Sequence, residues 1–353
     1  MMKSVMKKIE NLDSVGVPAG DAFISDLYSL KKDAAVSCYD PARLKPSEIQ
    51  EVMIQKSVPL HSQKYLGSSQ EVLYHTFRER FLEAANTLKK TLEAMVIDGC
   101  DITEKELLSI IELVIKDIRY NTQIIEFLKN MRDIHDVTYS HSLCVALICY
   151  VYAKWLGWDQ KDRDILVVSA LLHDIGKIKI SPKILEKEGA LTEEEFEKIK
   201  QHPRFGYEMV LDKNLDERIK NVILMHHERN NGSGYPNHLQ GEQIEPMAAV
   251  VAIVDAYDAM TRNRPYHEGI CPFEALDTLN NEGNTKFKYM YLRVFLEQMT
   301  YTYINEEVEL SNDIRGRIIA INDHELFRPI IVVNNQLIDL SKARDLQIQK
   351  VIC

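Results

Sequence analysis

Ile165-Leu166-Val167-Val168-Ser169-Ala170-Leu171-Leu172-His173-Asp174-Ile175-Gly176 is the stretch on which the fold turns. Residues 165–172 are apolar almost all round, and a helix of that composition is buried on every side rather than laid on a surface. Gly176 supplies the stop. The run therefore delivers an imidazole and a carboxylate to the end of a buried helix, where a carboxylate is costly unless it is paired or coordinates a metal. Taken by themselves, His173 and Asp174 could equally cap the helix and bond to each other.

Outward from this run, nearly everything from His141 to about Thr300 reads as helical, with loops at 179–191 and 229–245. His141 opens an apolar helix over 143–156. Thr192 with Glu195 forms a capping box, Asp216 suits an N-cap, and Pro272 suits a first helical turn. Upstream, Leu73, Phe77, Phe81, Ala85, Leu88, Leu92 and Met95 recur at three- and four-residue steps, and Gly99 ends the pattern. Thr103 and Glu106 predict a second helix with Leu107, Ile110, Ile111, Val114 and Ile118 on one stripe; Asn121 is placed to cap a third carrying Ile124, Ile125 and Leu128. Residues 1–68 show short β-like pieces at 22–25 and 34–37 and a helix after Lys45-Pro46-Ser47. The tail turns to strand patterns at 317–322 and 329–333, with Asn334-Asn335 as a turn.

The expected fold class is mainly α. An all-helical core (131–300) is preceded by a helical connector (69–130) and a small α+β N-terminal module (1–68), and followed by a small β-rich appendage (301–353). The connector stripes suit core packing and leave a homodimer open.

Composition narrows the function classes. The 353 residues are 45% hydrophobic, enough for a sizeable core, and carry 43 Lys plus Arg against 53 Asp plus Glu, a net charge of -10. That balance argues against binding duplex nucleic acid, which needs a broad basic face. It leaves room for a small anionic ligand, because bound cations reverse a local field. The first ten residues lack the apolar core and cleavage site of a signal peptide, and no apolar run reaches the roughly 18–20 residues of a membrane span. Six cysteines are scattered with no CxxC pair. A disulfide framework or thiolate zinc site is therefore not expected, and the chain reads as a cytoplasmic protein with no membrane segment.

The chemistry concentrates in the histidines. Of eleven, five fall in the helical core among apolar residues: His141, His173, His202, His226 and His227. His226 and His227 end the helix that begins at Asp216. Adjacent side chains point about 100° apart on a helix, so joint ligation needs a metal in the wedge between them or a frayed last turn; one buried and one exposed ring is the plainer alternative. His202 lies where Pro203 breaks a helix. Asp255 and Asp258, one turn apart, interrupt the apolar stripe of the helix over 250–260. Five imidazoles and at least two buried carboxylates suffice for two adjacent cations sharing one carboxylate. Such a donor set, without thiolate, favours iron, manganese, nickel, cobalt or zinc over calcium.

His173-Asp174-Ile175-Gly176-Lys177, then His202-Pro203, then His226-His227-Glu228-Arg229-Asn230-Asn231-Gly232-Ser233-Gly234-Tyr235-Pro236, resemble the HD-GYP branch of the HD phosphohydrolases. Asp255-Ala256-Tyr257-Asp258-Ala259-Met260 and Arg264-Pro265-Tyr266 resemble its closing motif. The resemblance covers about residues 136–280. It implies an all-helical, metal-dependent phosphodiesterase that hydrolyses cyclic di-GMP to pGpG, GMP or both by attack of a hydroxide bridging two cations. Two cations roughly 3.5–4 Å apart can activate a water and clamp phosphate oxygens.

Position by position, the resemblance gives one cation to His141, His173, Asp174 and Asp255, and the other to His202, His226 and His227, with Asp174 bridging. Iron or manganese are the first choices; nickel, cobalt or zinc are alternatives. Asp174 and Lys177 are the catalytic candidates, and Lys177, Gly234, Tyr235, Pro236 and Arg264 the substrate contacts. Diguanylate cyclase (GGDEF) proteins are implied as partners beside cyclic di-GMP itself. A glutamate that holds a third metal in some members is replaced here by Val137, so two cations are expected. His135 and Asp136 lie out of phase with that position. His61, His75, His238, His267 and His324 are read as non-ligands. The competing readings are a hydrolase of another cyclic dinucleotide or phosphoester, and a module that binds cyclic di-GMP without cleaving it.

Overall fold

The structure, a computed structural model, describes residues 63–131, 139–187, 189–263 and 269–352, without the side chains of 63–70. The readings made for the first 62 residues, Val137 and Arg264 lie outside the described residues. The chain divides into two compact units, Met1–Leu73 and Tyr74–Cys353, and the second holds the helical body and the sheet.

Helix α1 (Gln63–Ile97) buries Phe77, Phe81, Ala85, Leu88, Leu92 and Met95, the stripe that its three- and four-residue spacing predicts. Gly99 follows at φ 71°, a left-handed conformation that favours glycine. Helix α2 (Glu104–Ile115) starts on the Thr103–Glu106 capping box: the Glu106 N–H donates to the Thr103 hydroxyl, and the Glu106 carboxylate accepts from the Thr103 N–H. It stops three residues before Ile118. Helix α3 (Asn121–Lys129) is entered from Tyr120, not capped by Asn121. The Gln123 side chain accepts from the Tyr120 N–H, while Asn121 accepts from Lys154.

The centre of the unit is the helical pair α4 (Tyr139–Trp155) and α5 (Gln160–Leu172), joined through Gly157 at φ 71°. Their mutual burial explains why neither has a polar face: 140–149 and 165–172 are buried throughout. Past α5 the chain makes a 3₁₀ turn (Ile175–Lys179) and a short helix α6 (Pro182–Leu185), so the loop expected over 179–191 carries one turn of helix started by Pro182. Helices α7 (Glu193–Ile199) and α8 (His202–Val210) meet at the Pro203 junction. Helix α9 (Glu217–Met225) is capped by Asp216, which accepts from the Arg218 N–H. Helix α10 (Pro246–Thr261) packs on α4, α5 and α9. Helices α11 (Pro272–Lys286) and α12 (Tyr289–Tyr301) complete the helical body.

The tail is a five-stranded antiparallel sheet of β1 (Glu307–Leu310), β2 (Arg315–Ala320), β3 (Ile330–Val333), β4 (Gln336–Asp339) and β5 (Ile348–Ile352), in the order β4-β3-β2-β1-β5. Val308 pairs with Gly316 on one side and Val351 on the other. Asn334 and Asn335, at φ 47° and 64°, make the two-residue hairpin between β3 and β4. Strand β5 escapes sequence reading because Ile348-Gln349-Lys350-Val351-Ile352 lacks strict alternation. No helix among the described residues is long and apolar enough to cross a membrane.

One close approach sets the geometry of the centre. A Cβ built on Gly176 would strike the His202 carbonyl and the Gly206 backbone N, and one on Gly206 would meet Ile223 Cγ2 at 2.8 Å. Two glycines thus let the 3₁₀ turn and α8 touch backbone to backbone and seat the Ile223 side chain of α9 against them. Replacing Gly176 by alanine forces these segments apart. The expected cost is about 1–3 kcal/mol in chemical denaturation, together with weaker divalent-metal uptake; a Gly176→Ala chain with unchanged stability and metal uptake contradicts this packing.

Candidate metal centre

Five segments converge to place the seven predicted ligands. His141 is on the first turn of α4, His173 is the C-cap of α5, and Asp174 follows at φ −97°, ψ 6° as the chain turns into the 3₁₀ segment. His202 opens α8, and Asp255 lies inside α10. His226 is the C-cap of α9, whose last helical residue is Met225. Both adjacent rings therefore lie past the last helical residue, although His226 keeps helical backbone angles, and their centroids are 4.2 Å apart. Asp174, His202, His226 and His227 offer ligand atoms that all lie within 4.8 Å of one another, as do His141, His173 and Asp174. Asp174 belongs to both groups.

The distances give the cluster its shape. Asp174 Oδ1 lies 3.3 Å from His202 Nε2 and 3.9 Å from His226 Nε2, while Oδ2 lies 3.4 Å from His173 Nε2 and 3.7 Å from His141 Nε2. Each oxygen thus faces its own set of rings. Asp255 Oδ1 is 3.1 Å from His141 Nε2 and 4.0 Å from His173 Nε2, and Oδ2 is 3.9 Å from His227 Nδ1, so Asp255 flanks both sets. His75, His238 and His324, read as non-ligands, are exposed and belong to neither group; His61, His135 and His267 lie outside the described residues.

These donors fit cations. His173, His202 and His226 each donate Nδ1–H to a carbonyl three residues back: Ala170 at 2.7 Å, Ile199 at 2.8 Å and Ile223 at 2.9 Å. That fixes the lone pair on Nε2 and turns it inward. His202 Nε2 and His226 Nε2 then face each other at 3.1 Å, two lone pairs that a cation relieves. His173 Nε2 and Asp174 Oδ1 are buried with no hydrogen-bond partner among the described residues. Buried polar atoms left in this way are rare and call for a missing partner.

The electrostatics agree. Burial alone would raise the Asp174 carboxyl, but Lys177, His173 and His202 outweigh it and hold it well below the usual range. Burial pushes the His202 imidazole down to about 4 and that of His227 to about 3, and it drives His226 well below its ordinary value with help from the neighbouring rings. All three are therefore neutral, the form that binds metal. His141 is the exception: burial would lower it, but hydrogen bonds to Asp255 and Asp258 lift it to about 9.

Around the cluster, Lys177 sets Nζ 2.5 Å from Asp174 Oδ2. The loop at 229–245 folds back over His227. The Tyr235 N–H donates to the His227 carbonyl at 3.2 Å, and the Tyr235 ring stacks on His227 with centroids 4.6 Å apart and planes at 28°. Gly234 is buried against Arg229 and His227, where a Cβ would meet backbone. The Tyr235–Pro236 bond is cis. Lys177, Gly234 and Tyr235 are thus gathered at the cluster, with Pro236 next in the chain.

Three residues not assigned from sequence support the arrangement. Buried Glu228 accepts from the N–H groups of Asn237 at 2.7 Å and Leu239 at 2.9 Å, tying down the far side of the loop. Asp258 holds His141 Nδ1, and Arg262 holds Asp258. The i, i+4 spacing of Asp258 and Arg262 on one helix was the available signal for that pair.

Residues 126–289 match the family model described as HD domain. A cyclic di-GMP phosphodiesterase of Pseudomonas aeruginosa is 32% identical over 219 residues, covering 59% of this chain and 53% of that protein. One of Thermotoga maritima is 30% identical over 250 residues, covering 69% and 64%. A 3'3'-cGAMP-specific phosphodiesterase of Vibrio cholerae is 35% identical over 148 residues, covering 41% and 34%. The chain thus spans between about a third and two thirds of the length of these relatives. Among solved structures, an HDG"Y"P protein from Bdellovibrio bacteriovorus superposes with a TM-score of 0.51 at 21% identity, covering 67% of this chain and 79% of that one, a likeness of fold. With the ordered His-Asp, His-His and Gly-Tyr-Pro elements gathered at one centre, residues 126–289 carry an HD domain whose motifs resemble those of the HD-GYP branch.

Proposed function

We propose that this chain hydrolyses cyclic di-GMP, opening a phosphodiester to give linear pGpG, and GMP where the second bond is also cut. Two divalent cations, iron or manganese before nickel, cobalt or zinc, would be held by the two donor groups. The observation that carries the reading is Asp174, a buried carboxylate with one oxygen turned to each group of imidazoles. The activities named for the relatives point the same way.

His141, His173, Asp174 and Asp255 would hold one cation, and His202, His226 and His227 the other, with Asp174 shared. Bound there, two cations would supply the positive field for a phosphodiester and lower the pKa of a water between them. The protein supplies the rest. His202 and His226 stay neutral and aimed by their carbonyl partners, so these two ligand positions need little reorganisation. Lys177, anchored by Asp174 with a partly exposed side chain, would contact the phosphate and deliver a proton from Nζ to the departing ribose oxygen. Tyr235, half-buried and fixed against His227, offers an aromatic surface to a base or ribose at the mouth. Arg264 remains a proposed phosphate contact from the motif.

The Vibrio relative named for 3'3'-cGAMP supports a second reading in which the preferred ring carries one adenine. A side-by-side linearisation assay on cyclic di-GMP, 3'3'-cGAMP and cyclic di-AMP ranks the substrates directly.

In that assay, run anaerobically with metal content measured on the same samples, Asp174→Ala is expected to lower turnover by about a thousandfold or more, the equivalent of several kcal/mol of transition-state stabilisation. It should also lower metal content below that of the wild type. Unchanged turnover refutes the proposal, and metal-free wild type that binds cyclic di-GMP as tightly as loaded protein favours a binding module.

Cation uptake should also be proton-linked. At neutral pH His141 carries a proton that an incoming cation displaces, because its imidazole is lifted to about 9. His202, at about 4, and His227, at about 3, offer no such competition until acid pH. Affinity at the His141 group should therefore rise with pH up to about 9, by about tenfold per unit, with about one proton released per chain at pH 7. Calorimetry in buffers of different ionisation enthalpy measures this, and uptake without proton release contradicts it.

A further inference from the structure

We infer that Asp258, backed by Arg262, is a positioning residue that acts on one cation only: it holds His141 by Nδ1 so that Nε2 faces Asp174 and Asp255. The inference rests on reading the cluster as a centre for two cations.

The four rings whose outer nitrogen has an identified partner are not held alike. His173, His202 and His226 each donate to a neutral backbone carbonyl on their own segment. His141 is instead held at 2.7 Å by Asp258 Oδ2, a carboxylate 117 residues away in the chain. A charged acceptor makes a stronger hydrogen bond than a carbonyl. It also pins the ring orientation and enriches the metal-facing nitrogen.

His141 finds its partner on another helix. It sits on the first turn of α4, whereas His173 and His226 are C-caps and His202 lies three residues past the end of α7. For those three, a carbonyl three residues back lies within reach of Nδ1. For His141, the carboxylate arrives from α10, the helix that also carries Asp255 three residues earlier. One turn of α10 therefore presents one acid to each nitrogen of the same ring: Asp255 to Nε2 at 3.1 Å and Asp258 to Nδ1 at 2.7 Å.

Asp258 is itself locked. Arg262 donates Nε to Oδ2 at 2.9 Å and Nη2 to Oδ1 at 3.2 Å, a two-pronged grip one turn further along α10. The Asp258 and Arg262 side chains are 9% and 5% exposed. Arg262 keeps a buried carboxylate ionised without leaving net charge behind the ring, so the influence on His141 is directional. At the other end of the cluster His202 and His226 donate to backbone carbonyls, and among the described residues neither Asp258 nor Arg262 is bonded to His202, His226 or His227.

The test is a manganese(II) titration of metal-free full-length protein at pH 8 without oxygen, following both binding steps by calorimetry and bound metal by mass spectrometry. Asp258→Asn keeps the shape and gives His141 a neutral acceptor like those of the other rings. One of the two steps should weaken about 10–100-fold while the other stays at its wild-type affinity. Arg262→Lys, which keeps the charge but loses the fork, should weaken the same step by a smaller factor, and it carries the test if the asparagine chain does not fold. Two unchanged steps, or two steps weakened equally with a lower melting temperature, overturn the inference. Wild-type protein that takes up fewer than two cations instead overturns the reading of the centre on which it rests.

Discussion

A carboxylate buried where four imidazole nitrogens approach it is the constraint that organises this protein. Asp174 is 2% exposed, and one of its oxygens lacks a hydrogen-bond partner among the described residues. An ionised group in that position is expensive without compensation. Lys177 supplies one countercharge and the protonated His141 another, but neither satisfies Oδ1 or the inward lone pairs of His202 and His226. Cations answer all three needs at once. The cost of holding these groups together explains the weight of apolar packing around them, from the wholly buried faces of α4 and α5 to the backbone contacts that Gly176 and Gly206 permit.

The helices position the ligands through their ends more than their faces. His173, His202 and His226 occupy helix termini, where Nδ1 reaches a carbonyl of the preceding turn and Nε2 is left for the centre. Helix ends already bring unpaired backbone groups that need partners, so gathering several at one point creates a polar chamber within an apolar body. Only His141 and Asp255 come from within helices, and these two meet directly at 3.1 Å.

Much of this was legible in the chain because the ligands are chemically distinctive against apolar neighbours. His173-Asp174 after an unbroken apolar helix, and Asp255 inside another, can hardly be solvated faces. Helix boundaries were harder. Asn121 has the side chain of a cap, yet Gln123 reaching back to Tyr120 starts the helix one residue earlier. Ile118 continues the α2 stripe in sequence but lies past the end of that helix at Ile115. His226 and His227 can share one site only with a metal in the wedge between them or a frayed last turn, and the helix ends at Met225, before both. Glu228 and Asp258 were unassigned because their partners, loop N–H groups and a ring more than a hundred residues distant, are brought to them by packing, and Arg262 was missed although its partner Asp258 lies four residues before it.

The account stands most directly on where cations bind. A crystal structure of manganese-loaded protein, with anomalous diffraction at the manganese edge, locates them independently of turnover. Two peaks roughly 3.5–4 Å apart, one on each side of Asp174 with His173 and His202 on opposite peaks, are the predicted result. A single peak, or peaks away from Asp174, would contradict the account.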